Sequence, residues 1–111
     1  MASFNKWIIA GNVTADPEIK EVGESAVMRF CVAVNDPFSK TGECMFVDCD
    51  FWNPGKVGAF ISRGTPILCE GRAAVDKWEK DGQKRSKTYL KVTGVQLLGG
   101  SRKEEKEPEF V

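Results

Sequence analysis

The four cysteines, at positions 31, 44, 49 and 69, are the most reactive side chains in a 111-residue sequence that has no histidine. Without an imidazole, neither a Ser-His-Asp relay nor a His-ligated metal site can be assembled. The cysteines form no C-x-x-C pair, which is the spacing a structural zinc site favours. If residues 44–52 form a strand, Cys44 and Cys49 are five apart and face opposite ways, so they cannot share an ion. All four lie in segments that read as strands, away from the helix N-terminus that would activate a thiol. The expected roles are those of small buried hydrophobes in a reducing cytoplasm, with no metal, no cofactor and no enzymatic chemistry.

The aromatic residues carry a different chemistry. Phe46, Asp48, Asp50 and Trp52 fall at every second position of CMFVDCDFW, with Cys44 on the same face and Met45, Val47, Cys49 and Phe51 on the other. A core face would not hold two carboxylates, because burying a charge is costly. The pattern therefore predicts a solvent-open face carrying two rings. Trp78 stands beside Lys77 and Lys80, where a large ring would project beyond a compact body, and Phe38 follows Asp36-Pro37 in a loop. Exposed rings among basic loops suit stacking on the bases of a single strand, since every base has a π-face. The pattern leaves a second reading open, in which Phe46 and Trp52 pack inside and Trp78 pins a loop.

Charge at first argues against an anionic partner. Sixteen Lys and Arg balance 16 Asp and Glu, so the net charge is zero, whereas nucleic-acid binders are commonly basic. The total hides a polarised chain. Residues 1–55 carry four basic against eight acidic side chains, residues 56–101 nine against four, and residues 102–111 three against four. The segments are thus −4, +5 and −1.

These residues are positioned by a run of strands. Residues 6–11 (KWIIAG) are apolar and β-branched and break at Gly11-Asn12, and Asp16-Pro17 marks a turn. Residues 26–34 (AVMRFCVAV) read as a central strand buried on both faces. Residues 44–52 alternate. Asn53-Pro54-Gly55 then opens a short helix in which Val57, Phe60 and Ile61 share a face, and Gly64 stops it. Residues 66–79 and 84–98 are long strands joined at Lys80-Asp81-Gly82-Gln83, a D-G hairpin signal. No run approaches the roughly 20 apolar residues of a membrane span, and the first residues lack the apolar core of a secretory signal. The expected architecture is all-β: a five-stranded OB-fold barrel with one short helix between strands 3 and 4. That domain spans residues 1–99, and residues 100–111 (GSRKEEKEPEFV) form a charged, flexible tail.

Residues 5–98 resemble a bacterial or phage single-stranded DNA-binding protein of the SSB family. Asn5-Lys6-Trp7-Ile8-Ile9-Ala10-Gly11-Asn12 with Asp16-Pro17-Glu18 is similar to the family's first strand and turn. Phe46-Val47-Asp48-Cys49-Asp50-Phe51-Trp52 resembles its third strand, and Glu70-Gly71-Arg72, Lys77-Trp78 and Asp81-Gly82 resemble its fourth strand and hairpin. The resemblance implies that Phe38, Phe46, Trp52 and Trp78 stack on bases. It places Lys6, Lys56, Arg63, Arg72 and Lys77 near the phosphate path, with Lys84, Arg85 and Lys87 as helpers. It also implies a coat that protects single-stranded DNA in replication, recombination or repair, and a homo-oligomer, most often a tetramer and sometimes a dimer, in the cytoplasm of a cell or of a phage's host.

Several residues depart from the family pattern. Ala74 and Asp76 stand where arginines are frequent on strand 4, and Asp48 where a basic or neutral residue is usual. Each missing cation removes one released counterion, so weaker or less salt-sensitive binding is expected. The family's long linker is missing, and its acidic tip is reduced to Glu107-Pro108-Glu109-Phe110-Val111, an end that could dock replication or recombination proteins only in degenerate form. The alternative is an OB-fold replication accessory protein whose main ligand is another protein, which Asp48 and Asp50 on the aromatic face would suit.

Overall fold

A computed structural model describes residues 2–99; the tail expected at 100–111 lies outside the described residues. The chain runs β1 (Trp7–Val13), β2 (Glu18–Val22), β3 (Ser25–Asn35), β4 (Cys44–Trp52), a 3₁₀ helix η1 (Gly55–Phe60), β5 (Pro66–Lys80) and β6 (Gln83–Leu97).

The strands close into a ring. β1 pairs with β5 along Trp7↔Gly71 to Asn12↔Pro66 and crosses to β3 at Asn12↔Ala33 and Val13↔Val32. β3 pairs with β4 over their whole overlap, from Val27↔Trp52 to Asn35↔Cys44. β4 meets β6 in a short parallel seam, Cys49↔Leu90 to Phe51↔Val92, and β6 returns antiparallel to β5. This is the expected five-stranded OB-fold barrel, with its short helix after the strand that ends at Trp52. Closure pairs the barrel strands on both sides and leaves free edges at β2 and along the outer part of the β5–β6 ribbon.

Three local features differ from the sequence-based expectation. β2 is an additional short strand, entirely exposed, which pairs with the first half of β3 from Glu18↔Arg29 to Val22↔Ser25. With β1 it forms one bent first strand, broken where Thr14 turns its N–H to the Cys31 carbonyl at 2.9 Å and Pro17 has none to offer. Second, β3 is buried on its inner face through Met28, Phe30 and Val32, while Arg29 on the outer face is exposed. Third, η1 is a single 3₁₀ segment. Ile61 is extended and plugs the barrel, whereas Phe60 points to solvent and is not part of a buried helical face.

The core is the inward half of each alternating strand: Ile9 and Val13 from β1, Val47 and Cys49 from β4, Ile67 and Cys69 from β5, Leu90 and Val92 from β6. Two glycines permit the close crossings. A Cβ on Gly11 would meet the Ala33 carbonyl oxygen at 2.1 Å, and one on Gly71 the Lys91 carbonyl oxygen at 2.0 Å. Gly71 adjoins the register shift at Glu70/Gly71, where β6 carries an extra residue. No helix among the described residues is long and apolar enough to cross a membrane.

Candidate functional site

Beyond Val75 and Thr88 the β5–β6 ribbon carries only exposed side chains and stands clear of the core as an arm. Its tip is Asp81-Gly82, with φ of 52° and 77°, so both central residues occupy the left-handed region that a two-residue hairpin turn requires. Directly opposed residues of an antiparallel pair share a face. Arg72↔Lys91, Ala74↔Tyr89, Asp76↔Lys87 and Trp78↔Arg85 therefore line one side of the ribbon. Lys77↔Ser86 and Glu79↔Lys84 line the other.

The parallel seam joins the first of these sides to the outer face of β4. Leu90 and Cys49 point inward together, so Lys91 and Asp50 point outward together. One continuous outer surface thus runs from Phe46, Asp48, Asp50 and Trp52 on β4 across Tyr89 and Lys87 on β6 to Asp76 and Trp78 on β5. Phe46 is 66% exposed, Trp52 38% and Trp78 42%. The rings expected on the solvent-open face are there, and the reading in which Phe46 packs inside the barrel is excluded. Trp52 is seated more deeply: it lies opposite Val27, which is fully buried outside the main core cluster.

Each ring is placed by local chemistry. Asn53, at φ 50°, ends β4 by giving its backbone N–H to the Ala26 carbonyl at 2.8 Å and accepting the Ala26 N–H on its side chain at 3.0 Å. That clamp fixes Trp52 against the start of β3. Phe38, 91% exposed, tips a loop in which its N–H bonds the Asp36 carboxylate at 2.9 Å. Thr41 closes the same loop by donating to Glu43 at 2.8 Å.

The basic residues fall in several places. Arg72, Arg85 and Lys87 share the aromatic side of the ribbon, while Lys77 and Lys84 lie behind it. Arg63 is anchored by its backbone N–H, which donates to the Asp16 carboxylate at 2.9 Å, and Lys56 is exposed on η1. Lys6 is aligned by its neighbour. The Asn5 side chain pairs with both backbone groups of Ala73, at 2.8 and 3.0 Å, and Lys6 then bonds Glu70 at 3.2 Å. Arg29 is a further cation on this surface; the apolar run around it conceals it in the sequence, where its charge is the one sign of an open position.

At the centre of the surface lies a groove of about 400 Å³. Its lining includes five carboxylates, Asp16, Glu18, Asp48, Asp50 and Asp76, against two cations, Arg29 and Lys87. Lys87 bonds Asp48, and Arg29 lies 3.6 Å from Asp50. Burial pushes the Asp50 carboxyl above the ordinary aspartate range; Arg29 opposes this, and Asp48 and Asp76 add to it. The Asp48 partner holds Lys87 above the usual lysine value.

The cysteines are all free thiols, and Cys49 and Cys69 are buried. A hydrogen bond with Cys69 and then burial push the Cys49 thiol far up, which keeps it protonated. Among the described residues no group of three or more His, Cys, Asp or Glu side chains is arranged to hold a metal ion.

A closed five-stranded barrel of this topology, with an arm and an open aromatic face, is an OB-fold binding domain. The single-strand binding protein family model matches residues 4–98. The chain belongs to that family. A single-stranded DNA-binding protein of Treponema pallidum is 37% identical, over 89% of this chain and 60% of the relative. One of Wolinella succinogenes is 33% identical, over 86% of this chain and 64% of the relative. The chain therefore spans less than two thirds of the length of these curated relatives. Among solved structures, the "Plasmodium falciparum SSB complex with ssDNA" superposes with a TM-score of 0.79 at 20% identity, covering 89% of this chain and 98% of that one.

Proposed function

We propose that this protein binds single-stranded DNA by stacking bases on Phe38, Phe46, Trp52 and Trp78 and by pairing phosphates with Lys6, Lys56, Arg63, Arg72, Arg85 and Lys87. The observation that carries the reading is the exposure of the Phe46, Trp52 and Trp78 rings on one surface of a family member. Exposed rings cost a free protein apolar surface in water, and a base covering one contributes about 1–3 kcal/mol. The names of the relatives, and the strand bound in the related complex, point the same way. Lys77 and Lys84 serve a strand that wraps around the arm.

In this reading the protein is a non-enzymatic coat for exposed strands in replication, recombination or repair, working in the cytoplasm. Residues 1–99 do the binding, and the charged segment 100–111 is a separate tail that meets replication or recombination proteins. The binding unit is a homo-oligomer, a tetramer or a dimer, which the exposed apolar side chains of Phe4 and Ile8 beside β1 support. Titration with oligo-dT while following tryptophan fluorescence tests the DNA reading, because Trp52 and Trp78 both report. Quenching that weakens as salt rises is expected, and no quenching at low salt refutes it. Light scattering at micromolar concentration tests the oligomer; a monomer there refutes that part.

A further inference from the structure

The two cations in the central groove are already occupied. Lys87 bonds Asp48 and Arg29 forms a looser ion pair with Asp50 at 3.6 Å, so each carboxylate stands where a phosphate oxygen would otherwise approach. The two pairs share the outer face with the rings. Asp48 and Asp50 alternate between Phe46 and Trp52 on β4, and Arg29 is the direct cross-strand partner of Asp50. Both cations remain about half exposed at the side chain, at 55% each, so a phosphate can reach them. Asp50, by contrast, is only 18% exposed and has little room to turn aside.

We propose that Asp48 and Asp50 are affinity-setting residues that compete with phosphate for Lys87 and Arg29, and that Arg29 is a further phosphate contact. This rests on the single-strand reading above and deepens it. When a phosphate takes Lys87, Asp48 loses its partner and recruits a cation from solution. The counterion released from the DNA is then offset by one taken up at the protein, and the contact adds almost nothing to the salt dependence. Asp76, across from Lys87 on β5, supplies the same sign of field. The Lys87–Asp48 pair is open to solvent on both sides, so phosphate displaces it at little cost to the fold, whereas taking Arg29 leaves the mostly buried Asp50 without its partner and costs more.

The test is an oligo-dT titration of the full chain at 50 and 200 mM salt, comparing wild type with Asp48→Asn and Asp50→Asn. Freeing one cation steepens log K against log salt by about 0.7 for a single strand, so each variant's advantage grows about 2.6-fold over that fourfold fall in salt. In the doubles Asp48→Asn/Lys87→Met and Asp50→Asn/Arg29→Met that gain is expected to vanish. Single variants with wild-type affinity and slope overturn the proposal. A gain that survives in the doubles also overturns it, because the effect would then be a general loss of negative charge. If wild type itself fails to quench at 50 mM salt, the single-strand reading fails first and takes this proposal with it.

Discussion

Phe46→Ala isolates stacking from folding better than a change at either tryptophan of the open face. The ring is 66% exposed and stands directly opposite Ala33 in the β3–β4 pair, so about a third of it is covered in the free protein. Full burial of a phenylalanine contributes about 1.5–3 kcal/mol, so truncation here costs the fold about 0.5–1 kcal/mol, a Tm drop of about 2–8 °C. A base covering the exposed remainder contributes about 1–3 kcal/mol, and losing it weakens binding about 5- to 150-fold. The phosphate contacts are untouched, so the slope of log K against log salt stays at the wild-type value. Fluorescence titration reads all of this, since every tryptophan is still present. Trp52→Ala is the contrast: it removes a stacking ring and uncovers the fully buried Val27, so binding and Tm fall together. Wild-type affinity in Phe46→Ala, or lower affinity with a flattened salt slope, would refute the assignment of this ring to a base.

Other outcomes follow from the same geometry. Arg72→Ala removes an exposed cation that, among the described residues, has no carboxylate within ion-pair distance; binding should weaken and the salt slope flatten by about 0.7, read by titration at three salt concentrations. Gly71→Ala places a Cβ 2.0 Å from the Lys91 carbonyl oxygen, and thermal unfolding should show a loss of about 1–3 kcal/mol. Asp50 has its folded pKa raised above 3.8 by burial, so it lowers stability above that folded pKa, and the deficit disappears as pH falls towards 3.8. Asp50→Asn should therefore melt higher than wild type near pH 7, with the Tm gap closing as pH falls; a gap that is constant with pH removes burial as the cause.

Much of this arrangement was legible in the chain. The outward placing of Phe46 and Trp52 follows from strict alternation with Asp48 and Asp50, because a pleated strand has a period of two and carboxylates do not enter a core unpaired. The arm was legible from Asp81-Gly82, whose backbone freedom selects the tight turn. β2 was not, since Glu-Ile-Lys-Glu-Val buries nothing and becomes a strand only because β3 offers it a free edge. Arg29 was hidden for the converse reason: a long apolar run predicts burial on both faces, but the outer one is covered fully only at Val27, under Trp52, and is open at Arg29.

The chain alone fixes what is local: the long strands with a buried face, which face of β4 is wet, where the ribbon turns and which rings and cations exist. Which charges meet was decided only by the tertiary structure. The zero net charge describes the chain as a whole and says nothing of the groove, where five carboxylates surround Arg29 and Lys87. Lys87 reaches Asp48 because β4 and β6 join in a three-residue parallel seam, and Lys77 and Lys84 fall behind the arm because of the register Trp78↔Arg85. Coulomb energy depends on separation in space, and separation in space is fixed by strand pairing between residues far apart in the chain.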